Sequence, residues 1–301
     1  MSAPDVRFHV LILPNAPWEE LIARVRHIEA LGFDMVTVAD HFVDWHNPAL
    51  PWLECWTLLA AIARETTDIR IGTYVTQFPL RNPAMLARQA LTVDQLSGGR
   101  LDLGLGTGLS IDPAYDMIGV PNWEAGERVA RFKEYVEIVD GLLSNEVSSY
   151  AGEFYDIRDA VMNPRPIQQP RPPIVIAALG PVMLKFAAAR ANTWNSISFA
   201  DTFDAQLNET RERVRLIDTA CTAIGREPMT LRRSYMMLDP SSRAIGGKIA
   251  YYGSKDAFAD QAGQLLELGV SEIGLYYPVH AEQHPVFEAI ARDVLPVLRN
   301  R

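Results

Sequence analysis

Phe33-Asp34-Met35-Val36-Thr37-Val38-Ala39-Asp40-His41-Phe42-Val43-Asp44-Trp45 decides the fold of this chain: an apolar run follows Gly32 and climbs into a polar, aromatic-rich loop. Strands covered on both faces read as near-continuous apolar runs, and the loops that leave such strands carry function. His41 stands at that end of the run. An imidazole titrates near neutrality and both donates and accepts, so a His there suits positioning a substrate or moving a proton. The plainer reading is a His that caps the strand and hydrogen-bonds backbone.

Working outward, Val6 to Leu13 reads as the preceding strand, with Asn15 as an N-cap and Pro17 in the first turn of a helix that runs from Trp18 to Leu31. Beyond the loop, Leu58, Leu59, Ile62 and Ala63 give an apolar face to a helix from about Leu53 to Arg64, and Ile69 to Val75 is a third strand. Asn82-Pro83 opens a helix over Ala84 to Leu96 that stops at Ser97-Gly98-Gly99. A fourth strand from Arg100 runs into the glycine-rich turn Gly104 to Gly108. A polar excursion, Leu109 to Glu127, precedes the helix Arg128 to Leu143, and Tyr150 to Tyr155 reads as a small hairpin. Asn163-Pro164-Arg165-Pro166 through Pro172-Pro173 is an extended connector.

The same alternation continues with strands at Ile174 to Leu179, Thr193 to Phe199, Leu231 to Leu238 and Ile273 to Tyr277. Between them lie helices at Val182 to Arg190 and Ala205 to Ile224, a second excursion from Asp239 to Gly253, and a helix capped by Ser254; Val286 to Leu298 closes the chain as a helix. Eight strands alternating with eight helices give an α/β fold, a (β/α)8 TIM barrel. Doubly wound sheets alternate too, but a last helix after the eighth strand favours closure. We read one domain, residues 1–301, with insertions after strands four and seven.

Length alone does not divide 301 residues, because α/β barrels of this size are single domains. A hydrophobic content of 48% with 22% charged residues is that of an ordinary globular protein. The net charge of -9 argues against duplex nucleic acid or an anionic membrane as partner, leaving small molecules. Cys55 and Cys221 lie far apart in helical apolar patterns, Met1 to Val6 lacks the marks of a signal peptide, and no stretch reaches membrane-spanning length. The expectation is a reducing cytoplasm.

In such barrels the chemistry sits where the strands end. That rule ranks Asp40-His41 to Trp45, Thr73-Tyr74-Thr76, Gly106-Thr107-Gly108 and Ala178-Leu179-Gly180 among the candidates. Gly104-Leu105-Gly106-Thr107-Gly108-Leu109 fails as a dinucleotide fingerprint, with Leu109 where the third glycine belongs and no helix at once. Its glycines either admit something planar or anionic to the backbone or meet a need for positive φ. Leu179-Gly180-Pro181 opens a helix whose free N–H groups suit a phosphate, an ordinary turn being the plainer account. His280-Ala281-Glu282-Gln283-His284 has the wrong spacing for a zinc site, and Pro285 marks it as loop. With no nucleophile elbow, P-loop or Cys-His pairing, the site reads as built for a bound cofactor that carries the reactive atom.

As a set, these residues resemble the luciferase-like monooxygenase superfamily, barrel enzymes that use flavin mononucleotide (FMN) or the deazaflavin coenzyme F-420. The resemblance is carried by Leu31-Gly32-Phe33-Asp34 into Ala39-Asp40-His41-Phe42, by Asn82-Pro83 to Gln89, and by Leu96-Ser97-Gly98-Gly99-Arg100 into the Gly104 to Gly108 turn. Glu127-Arg128 to Glu134, Pro164-Arg165-Pro166 with Gln168, and Arg171-Pro172-Pro173-Ile174 through Gly180-Pro181 extend it over most of the chain.

The resemblance implies that His41 and Trp45 lie beside the redox-active ring of F-420, His41 exchanging a proton with the substrate, and that Asp40 belongs to the cofactor site. It places a non-proline cis peptide at Thr73-Tyr74 as a backrest for the ring, and sets Gly106, Thr107, Gly108, Ala178, Leu179 and Gly180 along the cofactor's tail. One departure matters: the F-420-dependent sugar-phosphate dehydrogenases carry a Glu proton donor directly after the Gly-Thr-Gly turn, where this chain has Leu109. The usual Asp-Gly before the Trp of strand six is also changed, to Asn192-Thr193. Ser110 to Trp123 holds no basic residue for a sugar phosphate, and Trp45, Trp52, Trp56 and Tyr74 suit an apolar substrate, Trp56 being equally a packing residue. The expectation is hydride transfer between F-420 and a small, largely apolar molecule. The alternatives are an FMN monooxygenase fed by a separate flavin or deazaflavin reductase, and a non-catalytic flavin-binding paralogue. Related barrels pair, which makes a homodimer the expected assembly.

Overall fold

A computed structural model describes residues 5–242 and 247–300. Its first elements are β1 Arg7–Ile12, α1 Trp18–Ala30, β2 Met35–Val38, α2 Cys55–Glu65, β3 Arg70–Thr73, β4 Thr76–Gln77, α3 Pro83–Ser97 and β5 Leu101–Gly106. There follow α4 Ala114–Ile118, α5 Ala125–Ser144, β6 Val147–Ala151, β7 Asp156–Val161, β8 Ile174–Ala177, α6 Pro181–Arg190, β9 Thr193–Ser196 and α7 Phe203–Ala223. The chain closes with β10 Arg232–Met236, α8 Lys255–Glu267, β11 Glu272–Tyr276, α9 His284–Ala289 and α10 Leu295–Arg299, the last two joined by a π-helical turn, Ile290–Val294. Parallel strands separated by helices are the (β/α)8 barrel class expected from the sequence.

The packing divides into two compact units. The first comprises the described residues of Met1–Leu13, Ala23–Thr37 and Val175–Arg301. Its strands run β2-β1-β11-β10-β9-β8. β1 lies parallel to β11, with Arg7 opposite Glu272 and Leu11 opposite Tyr276, and β9 lies between β8 and β10, with Trp194 opposite both Ile176 and Arg233. Phe8, Val10, Ile176, Trp194, Ile273 and Leu275 are buried, as uninterrupted apolar runs require. Ser254 caps α8 by accepting from the Ala257 N–H at 3.1 Å.

One expectation fails in this unit. The segment around His284 is helical rather than loop: Ala281–Gln283 form a 3-10 turn, and His284 opens α9 with Pro285 in its first turn. A proline there removes an N–H that has no helical partner anyway. Gln283 reaches back to accept from the backbone N–H groups of Val279 and His280 at 3.0 and 3.1 Å, which starts the turn.

The second unit comprises Pro14–Ile22 and Val38–Ile174. β3 pairs with β5, Ile71 opposite Leu101, and β4 pairs with β5 one step later, Gln77 opposite Gly106. Asn82 accepts from Ala84 N–H at 2.9 Å to start α3, and Gly98 ends it at φ 69°. The expected small hairpin is longer than its sequence signal: β6 and β7 pair antiparallel over residues 147–161, and Glu134 on α5 accepts from the turn N–H groups of Glu153 and Phe154. The proline-rich connector is held down by buried Asp94, which accepts from Ile167 N–H and from the Gln168 side chain.

The third strand ends earlier than expected, at Thr73 rather than Val75. The Thr73 hydroxyl donates to Gly104 O at 2.8 Å and accepts from Gly104 N–H at 3.1 Å, locking the strand end to β5, while Tyr74 N–H still donates to Val38 O. The cis peptide accordingly falls between Tyr74 and Val75, one residue beyond the bond that the resemblance indicates. After β5 the chain makes the short helix α4 before α5 begins; after β10, residues 243–246 of the expected second excursion lie outside the described residues, as do residues 1–4.

Candidate functional site

The site is assembled within the second unit, on the loops that follow β2 and β5 and on the turn through β4. Asp40, two residues past the end of β2 at Val38, is buried. Its carboxylate accepts from both nitrogens of the Arg81 guanidinium, at 2.9 Å for Nη2, and from Gln77 N–H at 3.1 Å. Arg81 also reaches Glu54 at 3.3 Å. Burial alone would lower the guanidinium's pKa, but the paired carboxylate holds it above its ordinary value. Asp40 therefore anchors the loop by a fork-to-fork pair with Arg81.

His41 follows directly. Its ring lies edge-on to Trp45 with centroids 4.5 Å apart, and 5.9 Å from Trp52, whose indole N–H donates to His41 O at 2.7 Å. Its Nδ1 is 3.1 Å from Asp112 Oδ2 and 2.7 Å from Gln77 Nε2. Asp112 is buried at the start of α4, where its Oδ1 accepts from Ala114 N–H at 2.9 Å. Burial pushes the Asp112 carboxyl up, but hydrogen bonds from His41, Gln77 and Ala114 outweigh it and hold the pKa below the ordinary carboxylate value.

Gln77 is the hub. Its amide nitrogen donates to Asp112 Oδ2 at 2.7 Å and to Asp40 O at 2.9 Å, while its oxygen accepts from the Tyr115 hydroxyl at 3.1 Å. Arg128, buried on α5, donates to that hydroxyl and to Thr107 O, and lies over the Tyr115 ring. Gly108 sits against this network at φ 68°, where a Cβ would fall onto the Tyr115 hydroxyl and the Gln77 oxygen. Its glycine thus answers to positive φ and close packing by side chains, whereas Gly104 answers only to the close approach of the Thr73 backbone carbonyl.

Of the residues singled out in the sequence, the structure brings together His41, Trp45 and Asp40, and ties Thr107 and Gly108 to them through Arg128, Tyr115 and Gln77. Gly106 lies opposite Gln77 at the end of β5. Thr73 spends its hydroxyl on Gly104, and Tyr74 is buried next to the cis bond. Ala178, Leu179 and Gly180 belong to the first unit: Ala178 O accepts from the Trp194 indole at 2.8 Å, and Leu179 and Gly180 stand exposed at the start of α6. Trp56 is buried in the core, as a packing residue is. Sequence reasoning missed Gln77, Arg81, Asp112, Tyr115 and Arg128. Two had a signal in the sequence: Asp112, an Asp one residue ahead of Pro113 and a short helix, and Arg128, quoted for the resemblance but given no role in the site.

Phe42, Leu53, Leu109 and Ile111, on the segments that carry His41, Trp52 and Asp112, expose large apolar side chains. The Trp45 indole N–H is buried without a partner among the described residues. A buried donor of this kind is satisfied by a ligand that presents an acceptor, as the carbonyls of a flavin or deazaflavin ring do. These residues fit such a ring.

A model of the luciferase-like monooxygenase family matches residues 6–237. The chain belongs to that family. Among curated relatives of this luciferase-like chain, an F-420-dependent glucose-6-phosphate dehydrogenase of Amycolatopsis mediterranei is 34% identical over 172 residues, 56% of this chain and 50% of the relative. The chain spans about half the length of the curated relatives it matches. The solved structure of a coenzyme F-420 dependent tetrahydromethanopterin reductase from Methanopyrus kandleri superposes with a TM-score of 0.80 at 20% identity, covering 97% of this chain and 99% of that one. An F-420-dependent secondary alcohol dehydrogenase, solved with an F-420-acetone adduct, gives 0.79 at 16% identity over 98% and 99%. These likenesses show the fold. Among the described residues no helix is long and apolar enough to cross a membrane.

Proposed function

We propose that this luciferase-like protein is an oxidoreductase that transfers hydride between coenzyme F-420 and a small, largely apolar alcohol or carbonyl compound. The observation that carries the reading is the His41-Trp45 pair at the end of the second strand, the imidazole backed by a buried carboxylate and the indole N–H left for a ligand. When bound, the coenzyme supplies a two-electron acceptor or donor, so the protein need supply only binding, orientation and a proton site. Trp45 and the backbone from Tyr74 to Gln77 and from Gly106 to Gly108 are the groups of this unit we assign to hold it. The tail-binding role of Ala178, Leu179 and Gly180 is carried by the resemblance alone.

His41 takes the hydroxyl proton of the alcohol as its carbon is oxidised, and returns it in the reverse direction. Phe42, Leu53, Leu109 and Ile111 favour an apolar substrate, because burying such side chains against a hydrocarbon removes their surface from water. A sugar phosphate finds less here. The guanidinium groups of Arg81 and Arg128 are committed to Asp40 and Glu54 and to Tyr115, Asn122 and Thr107. The same reading carries a cytoplasmic location, and pairing of two chains, the latter tested by light scattering on the purified protein.

Titrating F-420 and, separately, reduced FMN while following tryptophan fluorescence tests the cofactor, since Trp45 and Trp52 lie at the site. Secondary alcohols and glucose 6-phosphate are then compared as reductants of F-420. The expected result is quenching by F-420 and turnover with the alcohols. Oxygen consumption with reduced FMN, together with no binding of F-420, overturns the reading in favour of a monooxygenase fed by a separate reductase.

A further inference from the structure

Hydrogen-bond capacity around His41 fixes where its proton sits. Arg128 can only donate, so the Tyr115 hydroxyl accepts from it and turns its own proton to Gln77 Oε1. That sets the amide: Gln77 Nε2 faces Asp40 O at 2.9 Å and Asp112 Oδ2 at 2.7 Å, two groups that only accept, and both of its protons are used. Nothing is then left for Gln77 to give to His41 Nδ1, 2.7 Å away, and an amide nitrogen does not accept, so that approach is a packing contact and not a hydrogen bond. If Nδ1 carried a lone pair, that pair would face the Asp112 carboxylate at 3.1 Å. With its proton on Nδ1, the imidazole donates to the carboxylate, and Nε2, which no described residue hydrogen-bonds, keeps the lone pair.

We propose that Asp112 is a positioning residue that holds neutral His41 in the Nδ1–H tautomer, so that Nε2 is the proton acceptor of the site, and that it does so through a fixed Arg128-Tyr115-Gln77 chain. The role within catalysis rests on the proposed oxidoreductase reading. The tautomer does not. Asp112 lies three residues beyond Leu109, the position at which the sequence departs from the sugar-phosphate enzymes, so this chain keeps a carboxylate on the same excursion but applies it to the back of the imidazole rather than to the substrate. When Nε2 takes the substrate proton, the positive ring that results lies directly against the Asp112 carboxylate. The proton leaves the substrate oxygen and bonds to Nε2; the Nδ1 proton stays on His41, shared in a hydrogen bond and not transferred.

Long-range proton-nitrogen NMR on the cofactor-free chain, with His41 assigned by its loss in His41→Gln, reads the tautomer directly. The expected result is Nδ1–H in the wild type at a pH where the ring is neutral. In Asp112→Ala the freed Gln77 proton turns to Nδ1, and the tautomer moves to Nε2–H. Asp112→Asn, of the same size but uncharged, is the second variant that guards against a loss of fold in Ala, and it reduces the Nδ1–H fraction. A wild-type ring in the Nε2–H form, or a tautomer unmoved by either substitution, overturns the proposal. In the F-420-loaded protein Asp112→Ala lowers kcat roughly 100-fold or more, in line with loss of a general base, with KM changed only a few fold; Asp112→Glu restores part of it. Equal losses in kcat and fold stability without a tautomer change would mark a structural role only. A correct tautomer with no F-420 turnover in the wild type sinks the functional reading and leaves the assignment of Asp112 standing.

Discussion

His41 Nδ1 lies 3.1 Å from Asp112 Oδ2, although 71 residues separate the two in sequence. The loop after β2 supplies the imidazole, the excursion after β5 supplies the carboxylate, and Gln77 of β4 donates to that carboxylate. Each partner comes from a different strand end, which is how this class of fold gathers a site.

The Asp112 carboxyl titrates below its ordinary value, because hydrogen bonds from His41, Gln77 and Ala114 outweigh the desolvation that pushes it up. A carboxyl depressed in the folded state contributes stability that is present above its unfolded pKa and lost as pH falls through the folded one. Urea denaturation of wild type and Asp112→Asn should therefore show the full difference at neutral pH and a narrowing difference below about pH 4. A difference that widens on acidification contradicts the assignment.

Arg81 and Asp40 form a pair in which the carboxylate is buried. Removing the cation leaves that charge uncompensated, so Arg81→Met should cost about 3–5 kcal/mol in denaturant unfolding. Adding Asp40→Asn to Arg81→Met should recover much of the loss, because the stranded charge is then gone. If the double variant is as unstable as the single one, the pair acts through packing and not charge.

Gly108 has φ 68° and no room for a methyl group beside Tyr115 and Gln77. Gly108→Ala should destabilise by more than about 1 kcal/mol, since alanine is strained where φ is positive. It should also loosen the Tyr115-Gln77 bond, visible as a mixture of His41 tautomers by NMR. A variant as stable as wild type would show that the turn accommodates a side chain.

Leu109 and Ile111 present apolar side chains on the excursion that carries Asp112. If the substrate is apolar and covers them, Ile111→Ser should raise KM for a secondary alcohol by roughly 10-fold or more, the order expected for one lost apolar contact of 1.5–3 kcal/mol. The affinity for F-420 should not change. An unchanged KM would place the substrate elsewhere.

Much of the architecture was legible because its signals are local. Asn82 ahead of Pro83, Gly98 at a helix end, and Ser254 before a helix all cap as read, since a cap depends on a few adjacent residues. The misreadings have local causes too. Pro285 argues locally against helical geometry at Gln283-His284, but in the first turn of a helix it is tolerated, and the reach of Gln283 back to Val279 and His280 starts the turn. Strand three ended early because Thr73 binds Gly104, a residue 31 positions away that no window on the third strand contains.

The order of apolar runs, turns and caps determined by itself that strands and helices alternate and that His41 and Trp45 stand at a strand end. Periodicity and capping are properties of neighbours along the chain, so the sequence displays them openly. Only the folded structure decided that Asp112, Gln77, Tyr115 and Arg128 meet at that histidine, and hence which of its nitrogens carries the proton. Hydrogen-bond satisfaction is settled by which donors and acceptors are left within reach once segments far apart in the chain have packed, and no spacing in the sequence encodes that distance.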